Sequence, residues 1–197
     1  TLLSTDIEVQ ISTHAAIGSG KEATATTVAA RKLLDILRAL PDSEVSLSLS
    51  NKRMTIQCGK SRFALQTLAA EEFPTVQQAE HFGAQFSLPQ KTLKHLFNMV
   101  HFSMAQQDIR YYLNGLLLET SAKLLRAVAT DGHRLALCEV DLPQGGKAGQ
   151  QVIVPRKGVH ELARLLTEDD GEVTLTLGSN HIRATVGNVS FTSKLID

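Results

Sequence analysis

Apolar residues recur along the chain with two spacings, one typical of helices and one typical of strands. The first helical pattern places them at the i, i+3, i+4 and i+7 positions of one helix face, namely Leu33, Ile36, Leu37 and Leu40. The same spacing returns at Leu93, Leu96, Phe97 and Val100, and again at Val159, Leu162, Ala163 and Leu166. We predict three amphipathic helices that bury these stripes, over residues 29–40, 89–100 and 155–166, the second continuing to about Ala105.

The residues that follow the first and third predicted helices alternate between apolar and polar, as half-buried strands do. Residues 44–49 and 172–177 share this alternation. In each case it continues into a second run with a glycine, Gly59 or Gly187, followed by a phenylalanine, Phe63 or Phe191. We therefore predict antiparallel strands after both helices.

These matches form an internal repeat. Residues 28–40 match residues 154–166 at an offset of 126, and Thr5-Asp6 matches Thr130-Asp131 at an offset of 125. The second copy also contains the helix at 89–100, for which the first copy has no counterpart, so we expect the first copy to be cut at its N-terminus. The pattern predicts an α+β fold of repeated domains, with antiparallel sheets that carry helices on one face.

Length and composition exclude several classes of protein. A chain of 197 residues that is 43% hydrophobic and 20% charged can bury a core, which excludes a disordered or fibrous protein. No apolar run approaches the ~18–20 residues that span a bilayer, so we expect no membrane segment. The two cysteines, Cys58 and Cys138, form no metal-ligand cluster, which favours a reducing, cytoplasmic setting without a metal or cofactor.

The net charge of zero conceals a separation of charge. The three predicted helices carry the bases Arg31, Lys32, Arg38, Lys91, Lys94, Arg156, Lys157 and Arg164. Only Asp35 and Glu161 oppose them, which leaves a net charge of +6 on the helices and −6 on the rest of the chain. Bases opposite the apolar stripes indicate either a surface that faces phosphates without reading sequence or ordinary solvated helix faces.

Two further segments carry candidate site residues. The run Thr130 to Leu135, TDGHRL, contains an Asp and a His but no motif that completes a catalytic triad or a metal site. The run Gln107 to Gly115 contains both tyrosines, and a strand there would place one in the core and one outside. Alternatively, Tyr111 and Tyr112, with Gln107 and Arg110, lie near a loop that contacts nucleic acid. The other histidines, His14, His81, His95, His101, His160 and His181, lack ligand spacing and are interpreted as ordinary.

Several segments resemble the bacterial sliding clamp family, the β subunit of DNA polymerase III. Its second domain is matched by FSMAQQDIRYYLNGLLLET, AVATDGHRLALCEV, VIVPRKGVHELARLL and IRATVGNVSFTSKLID, and the latter part of its first domain by TTVAARKLLDILRALP and GKSRFALQTLAAEEFP. The resemblance implies a partial first clamp domain at residues 1–75, a linker at 76–83 and a second clamp domain at 84–197. The second domain would be cut near its C-terminus, and the third domain would be absent.

What the resemblance implies is a non-catalytic processivity factor of the polymerase holoenzyme. In that family, three-domain chains dimerise head to tail into a ring, with basic helices inside and sheets outside. The ring encircles duplex DNA independently of sequence and tethers polymerase, clamp loader and repair proteins through a short peptide motif. Such a protein would be bacterial, cytoplasmic and associated with the nucleoid.

The resemblance also implies two sets of site residues. The peptide pocket carries over to Leu113, Thr130, Gly132, His133, Arg134 and Leu135. Family DNA contacts carry over to Gln107, Tyr111 and Tyr112, and join the helix bases Arg31, Arg38, Lys91, Lys94, Lys157 and Arg164 as predicted DNA-binding residues. Because both dimer surfaces belong to the missing parts, we expect this chain neither to close a ring nor to bind partner peptides at full strength. We also expect residues 1–75 to be less stable than residues 84–197.

Two other functions stay open at this point. One is an unrelated two-domain enzyme that uses Asp131 and His133. The other is a protein-interaction module without DNA binding, in which the basic helices are merely solvated.

Overall fold

The structure, a computed structural model, describes residues 1–16, 24–76, 82–142, 145–146 and 149–197, and these contain three α-helices and fourteen strands. The helices are α1 (Ala30–Ala39), α2 (Gln90–Val100) and α3 (Arg156–Leu165). The strands are β1 (Leu2–Thr5), β2 (Val9–Thr13), β3 (Thr26–Val28), β4 (Ser46–Ser50), β5 (Arg53–Cys58), β6 (Ser61–Ala69), β7 (Phe82–Pro89), β8 (Gly115–Thr120), β9 (Leu124–Thr130), β10 (Leu135–Asp141), β11 (Gln150–Pro155), β12 (Glu172–Gly178), β13 (His181–Val186) and β14 (Val189–Lys194). All strand pairs are antiparallel, which confirms the predicted α+β class.

The three predicted helices are confirmed to within one residue at each end of the ranges 29–40, 89–100 and 155–166. The expected continuation of α2 to about Ala105 is wrong. The helix ends at Val100, and His101–Ser103 forms a 3-10 turn after which Met104 is extended. This turn takes the chain off the helix axis.

Most of the described chain packs into one unit, which comprises Thr1–Ala15 and Thr75–Asp197. It contains a six-stranded sheet in the order β1-β2-β14-β13-β12-β7 and a four-stranded sheet in the order β10-β9-β8-β11. Helix α2 packs against β9 and β10, and α3 against β8 and β14. The helices fill one core with both sheets, because Leu96 and Leu162 are fully buried in the same cluster as Leu118 and Leu175.

The second unit, Ala16–Pro74, contains α1 and a sheet in the order β3-β6-β5-β4. Ile56 is fully buried there, but α1 has no buried residue. Its stripe is only half-buried, and Leu37 is 42% exposed. The predicted burial of the apolar stripe therefore holds for α2 and α3 and is wrong for α1.

The internal repeat is visible in backbone conformation. The turns that join β5 to β6 and β13 to β14 each have a left-handed glycine, Gly59 with φ +55° and Gly187 with φ +53°. Thr27 pairs with Leu68, and Ile153 forms a bridge to Ile196 at the matching positions of the second copy. The prediction of a repeated helix and strand arrangement is confirmed.

Packing divides the chain in two places, between residues 74 and 75 and also between residues 15 and 16. Strands β1 and β2 precede the first helix, yet β2 pairs with β14, so that Val9 lies opposite Ser193. The first 15 residues therefore belong to the same unit as Thr75–Asp197. The predicted linker at 76–83 falls largely on residues 77–81, which lie outside the described residues.

A row of polar side chains crosses the four-stranded sheet. Arg126 on β9 donates to Glu139 on β10 at 2.7 Å and to Glu119 on β8 at 2.9 Å. Gln151 on β11 donates to the other oxygen of Glu119 at 3.1 Å. Glu139 raises the pKa of Arg126 above its ordinary value, with a smaller contribution from Glu119. The row links all four strands on the polar face of this sheet.

None of the described helices is long and apolar enough to cross a membrane.

Helix α3 approaches β14 closely at Gly158. This glycine is buried, and a Cβ built on it would lie 2.5 Å from Ser193 Oγ and 3.1 Å from Ser193 Cβ. No side chain fits that space without moving the helix or the strand.

We predict that Gly158→Ala destabilises the protein by about 1–3 kcal/mol, because overpacking outweighs the gain of about 1 kcal/mol that alanine usually brings to a helix interior. Urea unfolding measures the change. In a Ser193→Ala background, which removes the nearest atom, the same substitution should cost less. A more stable Gly158→Ala protein would contradict the proposed close contact.

Candidate nucleic-acid and peptide interface

The TDGHRL segment forms the turn between β9 and β10. The Thr130 hydroxyl donates to the Arg134 carbonyl at 2.7 Å. The N–H groups of His133 and Arg134 both donate to Asp131 Oδ1 at 3.0 Å. These two N–H groups lower the pKa of Asp131, and the Arg134 guanidinium lowers it further from Oδ2. Both carboxylate oxygens of Asp131 thus stabilise the turn, which disfavours a role of Asp131 as a catalytic base.

The same turn occurs between β1 and β2. There the Thr5 hydroxyl donates to the Val9 carbonyl at 2.8 Å, and the N–H groups of Glu8 and Val9 donate to Asp6 Oδ1 at 3.1 and 2.9 Å. The prediction that Thr-Asp belongs to the shared fold is therefore confirmed. The two turns differ in the partner of the second carboxylate oxygen. Asp131 Oδ2 pairs with Arg134 of its own turn, whereas Asp6 Oδ2 lies 2.6 Å from Lys157 Nζ on α3. Lys157 lowers the pKa of Asp6.

The central residue of each turn is left-handed. Gly132 has φ +87° and Ile7 has φ +81°. Glycine accepts this conformation freely, whereas a β-branched residue does not. Gly132 also leaves room for Arg110, whose guanidinium nitrogen would lie 3.2 Å from a Cβ at that position.

Three segments that are separate in sequence meet around this turn. Arg134 donates to the Phe102 carbonyl at 2.7 Å and stacks on the Phe102 ring at 5.6 Å. The Ala105 N–H donates to the Leu113 carbonyl at 2.9 Å. Together with Arg110 beside Gly132, these contacts bring the TDGHRL turn next to residues 101–105 and 107–114, so the two predicted site segments are neighbours.

Of the two interpretations of the tyrosine segment, the strand is wrong, and the segment lies in a loop as the alternative expected. Tyr111–Asn114 is a 3-10 turn, and Tyr111 and Tyr112 are 61% and 50% exposed, so neither lies in the core. The cause is a loop closed by Asn114, whose side chain accepts from the Asp108 N–H and donates to the Asp108 carbonyl, both at 2.9 Å. Strand β8 begins only after this loop, at Gly115.

Arg110 is held within the same loop by Asp108. Its Nε and Nη2 donate to the two carboxylate oxygens at 3.1 and 2.9 Å. This ion pair lowers the pKa of Asp108 to about 2. Gln107, also exposed, is left-handed with φ +59°. The loop therefore presents Gln107 and both tyrosines to solvent on a fixed backbone.

An apolar surface adjoins the turn. Of the predicted pocket residues, Leu113 and Thr130 are half-buried, whereas Gly132, His133, Arg134 and Leu135 are exposed. Leu135 is 64% exposed, and Leu137, two residues further along β10, is also exposed. The sequence reasoning missed Leu137 and Phe102. Phe102 lies two residues after Val100 and does not belong to the apolar stripe of α2. A large apolar residue outside such a stripe is expected to be exposed, and this signal could have identified Phe102.

The helix bases differ in how they are paired. Lys91 pairs with Asp170, and Lys94 Nζ lies 2.8 Å from Glu168 Oε1. Lys157 Nζ lies 2.6 Å from Asp6 and 3.2 Å from Glu8. The count of charges by helix missed these pairs, because the carboxylates come from loops and from the β1–β2 turn. The separation of charge is thus partly neutralised locally.

The arginines are less constrained. Arg164 Nη1 lies 3.4 Å from Glu161 one turn away on α3. Arg31 and Arg38 on α1 are exposed and have no ion-pair partner among the described residues. These side chains, like the exposed Lys32, are therefore more available to an external anion than the paired lysines Lys91, Lys94 and Lys157.

The remaining histidines are varied in setting. His101 and His160 pack edge to face with ring centroids 5.3 Å apart, and burial lowers the pKa of His160. His181 is buried, which lowers its pKa as well, and His81 lies outside the described residues. Within the described ranges, no three His, Cys, Asp or Glu side chains cluster as a metal site would require. Both cysteines are free thiols.

Two family models match the chain and together cover nearly all of it. The model described as "DNA polymerase III beta subunit, central domain" matches residues 87–197, and the one described as "DNA polymerase III beta subunit, N-terminal domain" matches residues 1–77. The chain belongs to the DNA polymerase III β subunit family. The two matches leave residues 78–86 between them, whereas packing groups residues 1–15 with residues 75–197.

Relatives in this family are close. The chain is 48% identical over its whole length to proteins named "Beta sliding clamp" from Pseudomonas aeruginosa and Escherichia coli K12. It spans about half of their length, 54% in each case. The crystal structure of the DNA polymerase III subunit beta from Pseudomonas aeruginosa superimposes with a TM-score of 0.95 at 48% identity, covering 99% of this chain and 54% of that one.

We predict opposite effects of exchanging residue types between the two left-handed turn positions. Ile7→Gly should raise the free energy of unfolding by up to about 1 kcal/mol, because it relieves left-handed strain at an exposed side chain. Gly132→Ala should lower it by about 1–2 kcal/mol, since it adds that strain and presses on Arg110. Urea unfolding of both variants is the measurement, and shifts of the same sign would contradict the equivalence of the turns.

Proposed function

We propose that this chain is part of a DNA sliding clamp, a processivity factor without catalytic activity that encircles duplex DNA and tethers a polymerase. The observation that carries the proposal is the pairing of β2 with β14. By sequence, β2 belongs to the first copy of the repeat and β14 to the second. One copy is thus joined to the next by continuing its sheet.

This joint can be repeated. The equivalent of β2 in the second copy is β10, which follows the matching Thr-Asp turn. Strand β10 is an edge strand in its sheet, without a strand partner on its outer side among the described residues. A further copy of the repeat would pair its own last strand there. Head-to-tail contacts of this kind generate a closed ring when the rotation between copies closes, so we infer a third copy and a ring dimer in the whole protein.

A ring that slides needs contacts with DNA that are electrostatic and independent of sequence. The basic, solvent-facing sides of the helices suit this, and Arg31, Arg38 and Arg164 are less constrained there than Lys91, Lys94 and Lys157. Gln107, Tyr111 and Tyr112 on their closed loop are proposed as further contacts. The protein would act in the bacterial cytoplasm at the nucleoid.

The outer face would take protein partners. We place a docking site for a short peptide motif at Leu113, Thr130, Gly132, His133, Arg134 and Leu135, and infer that polymerases, clamp loader and repair proteins use it. Exposed Leu135 beside a fixed Arg134 supplies the combination of apolar contact and polar anchor typical of such sites. One similar structure, from Pseudomonas aeruginosa at 48% identity and with a TM-score of 0.90, is of a clamp bound to griselimycin. That supports a ligand-accepting surface in the family.

Of the two other functions, the enzyme is disfavoured because Asp131 is occupied by the backbone and by Arg134. A measurement of duplex binding at several salt concentrations distinguishes the clamp from a protein-interaction module that does not bind DNA.

We predict that the triple variant Arg31→Gln, Arg38→Gln, Arg164→Gln of the full-length protein binds a short duplex more weakly than the wild type. The slope of log K against log salt should become shallower by up to about 0.9 for each phosphate that the variant no longer neutralises. Fluorescence anisotropy over a range of salt concentrations measures both quantities.

Arg62→Gln on β6 is the matched control, since Arg62 is exposed but lies on a strand. It should leave both quantities nearly unchanged. Duplex binding by the wild type that does not depend on salt would remove the DNA-binding function and leave the interaction module.

For the peptide site, Leu135→Ala in the full-length protein should weaken binding of a clamp-binding peptide by about 10-fold, the loss of roughly 1.5 kcal/mol of apolar contact. Duplex binding should be unaffected. Isothermal titration calorimetry gives the affinity, and Leu2→Ala, on the exposed edge strand β1, is the control. Equal peptide affinities of the Leu135→Ala variant and the wild type would contradict the proposed location of the peptide site.

A further inference from the structure

We propose that four carboxylates, those of Asp6, Glu8, Glu168 and Asp170, reduce the phosphate affinity of the basic surface of α2 and α3 by pairing with the lysines of these two helices. The proposal rests on the proposed DNA-binding function and concerns its regulation. We call these side chains the four pairing carboxylates.

The carboxylates at Lys157 are fixed in place before any ligand arrives. Asp6 Oδ1 accepts two N–H groups of its own turn, which leaves Oδ2 facing Lys157 Nζ at 2.6 Å. Glu8 adds a second oxygen at 3.2 Å. Asp6 and Glu8 both raise the pKa of Lys157. The lysine is about half exposed, so a phosphate can reach it but meets two negative charges beside it.

The carboxylates at α2 are anchored through Gln90, the buried first residue of that helix. Gln90 Oε1 accepts from both the N–H and the hydroxyl of Thr167, at 3.2 and 3.1 Å. Its own backbone N–H donates to the Gly171 carbonyl at 2.8 Å. These bonds hold both ends of the short segment between α3 and β12 against α2. Glu168 and Asp170, inside that segment, are therefore positioned at Lys94 and Lys91.

Exposed ion pairs of this kind contribute only about 0–1 kcal/mol, so a DNA phosphate can displace them. They still reduce the affinity, because each carboxylate stays close to the phosphate that replaces it at the lysine. When a phosphate binds a lysine that is neutralised by mobile counterions, these ions are released with a gain in entropy. A carboxylate that is part of the chain cannot be released, so this gain is lost. The result is a surface of lysines on α2 and α3 whose affinity for phosphate is reduced, which suits a contact that must not stop the ring from sliding.

The test compares full-length clamps that carry Asp6→Asn with Glu8→Gln, Glu168→Gln with Asp170→Asn, or all four changes. Asparagine at position 6 keeps the oxygen that accepts from the turn. Binding of a short duplex is measured by fluorescence anisotropy at several salt concentrations, and urea unfolding checks the fold. We expect about two- to fivefold tighter binding for each lysine released, and slower diffusion of the loaded ring along DNA in single-molecule tracking.

The control is Glu44→Gln with Glu72→Gln, which removes the same charge as either pair from exposed side chains that form no ion pair with a helix base among the described residues. Equal gains from this control would overturn the proposal, since net charge rather than pairing would then be responsible. Unchanged or weaker binding by the folded quadruple variant would also overturn it. If neither the wild type nor the quadruple variant binds duplex at low salt, the proposed DNA-binding function itself fails.

Discussion

The ladder between β2 and β14 is the interaction on which the rest of the arrangement depends. It sets Ile11 opposite Phe191 in the apolar cluster, and a slip of one residue would bring Gln10 into that place. Gln10 instead accepts the Val76 N–H at 2.9 Å. The ladder also brings the β1–β2 turn to α3, where Asp6 and Glu8 meet Lys157. Without this register, the β1–β2 turn would not meet Lys157.

What could be predicted from the sequence was what depends on neighbours along the chain. The three helices follow from a local spacing of apolar residues, and the Thr-Asp turns from side chains that bond their own backbone. Burial of the α1 stripe could not be predicted, because it depends on what packs against Leu33 and Leu37. The choice between a strand and a loop at the tyrosines could not be made from the sequence, because closure of the loop depends on Asn114, a single side chain whose bonds leave no periodic signal.

Prediction of the charge on the helix surfaces is limited in the same way, because it depends on contacts between segments that are distant in sequence. Counting charges by helix correctly finds the excess of bases, but it treats Lys91, Lys94 and Lys157 as equal to Arg31. The carboxylates that distinguish them come from segments far away in sequence or outside any helix. The division at residue 15 escaped prediction for a related reason: an alternating strand has the same pattern whether it pairs within its own copy of the repeat or with the next.

The β2–β14 ladder also constrains the order of folding. Thr13 pairs with Val189, and Val9 with Ser193, so more than 170 residues must be synthesised after β2 before its partner strand exists. Contacts this distant in sequence carry a large loop-closure cost and slow the folding rate. During translation the β1–β2 hairpin therefore emerges with one edge unpaired, and this edge is completed only when β14 has been synthesised.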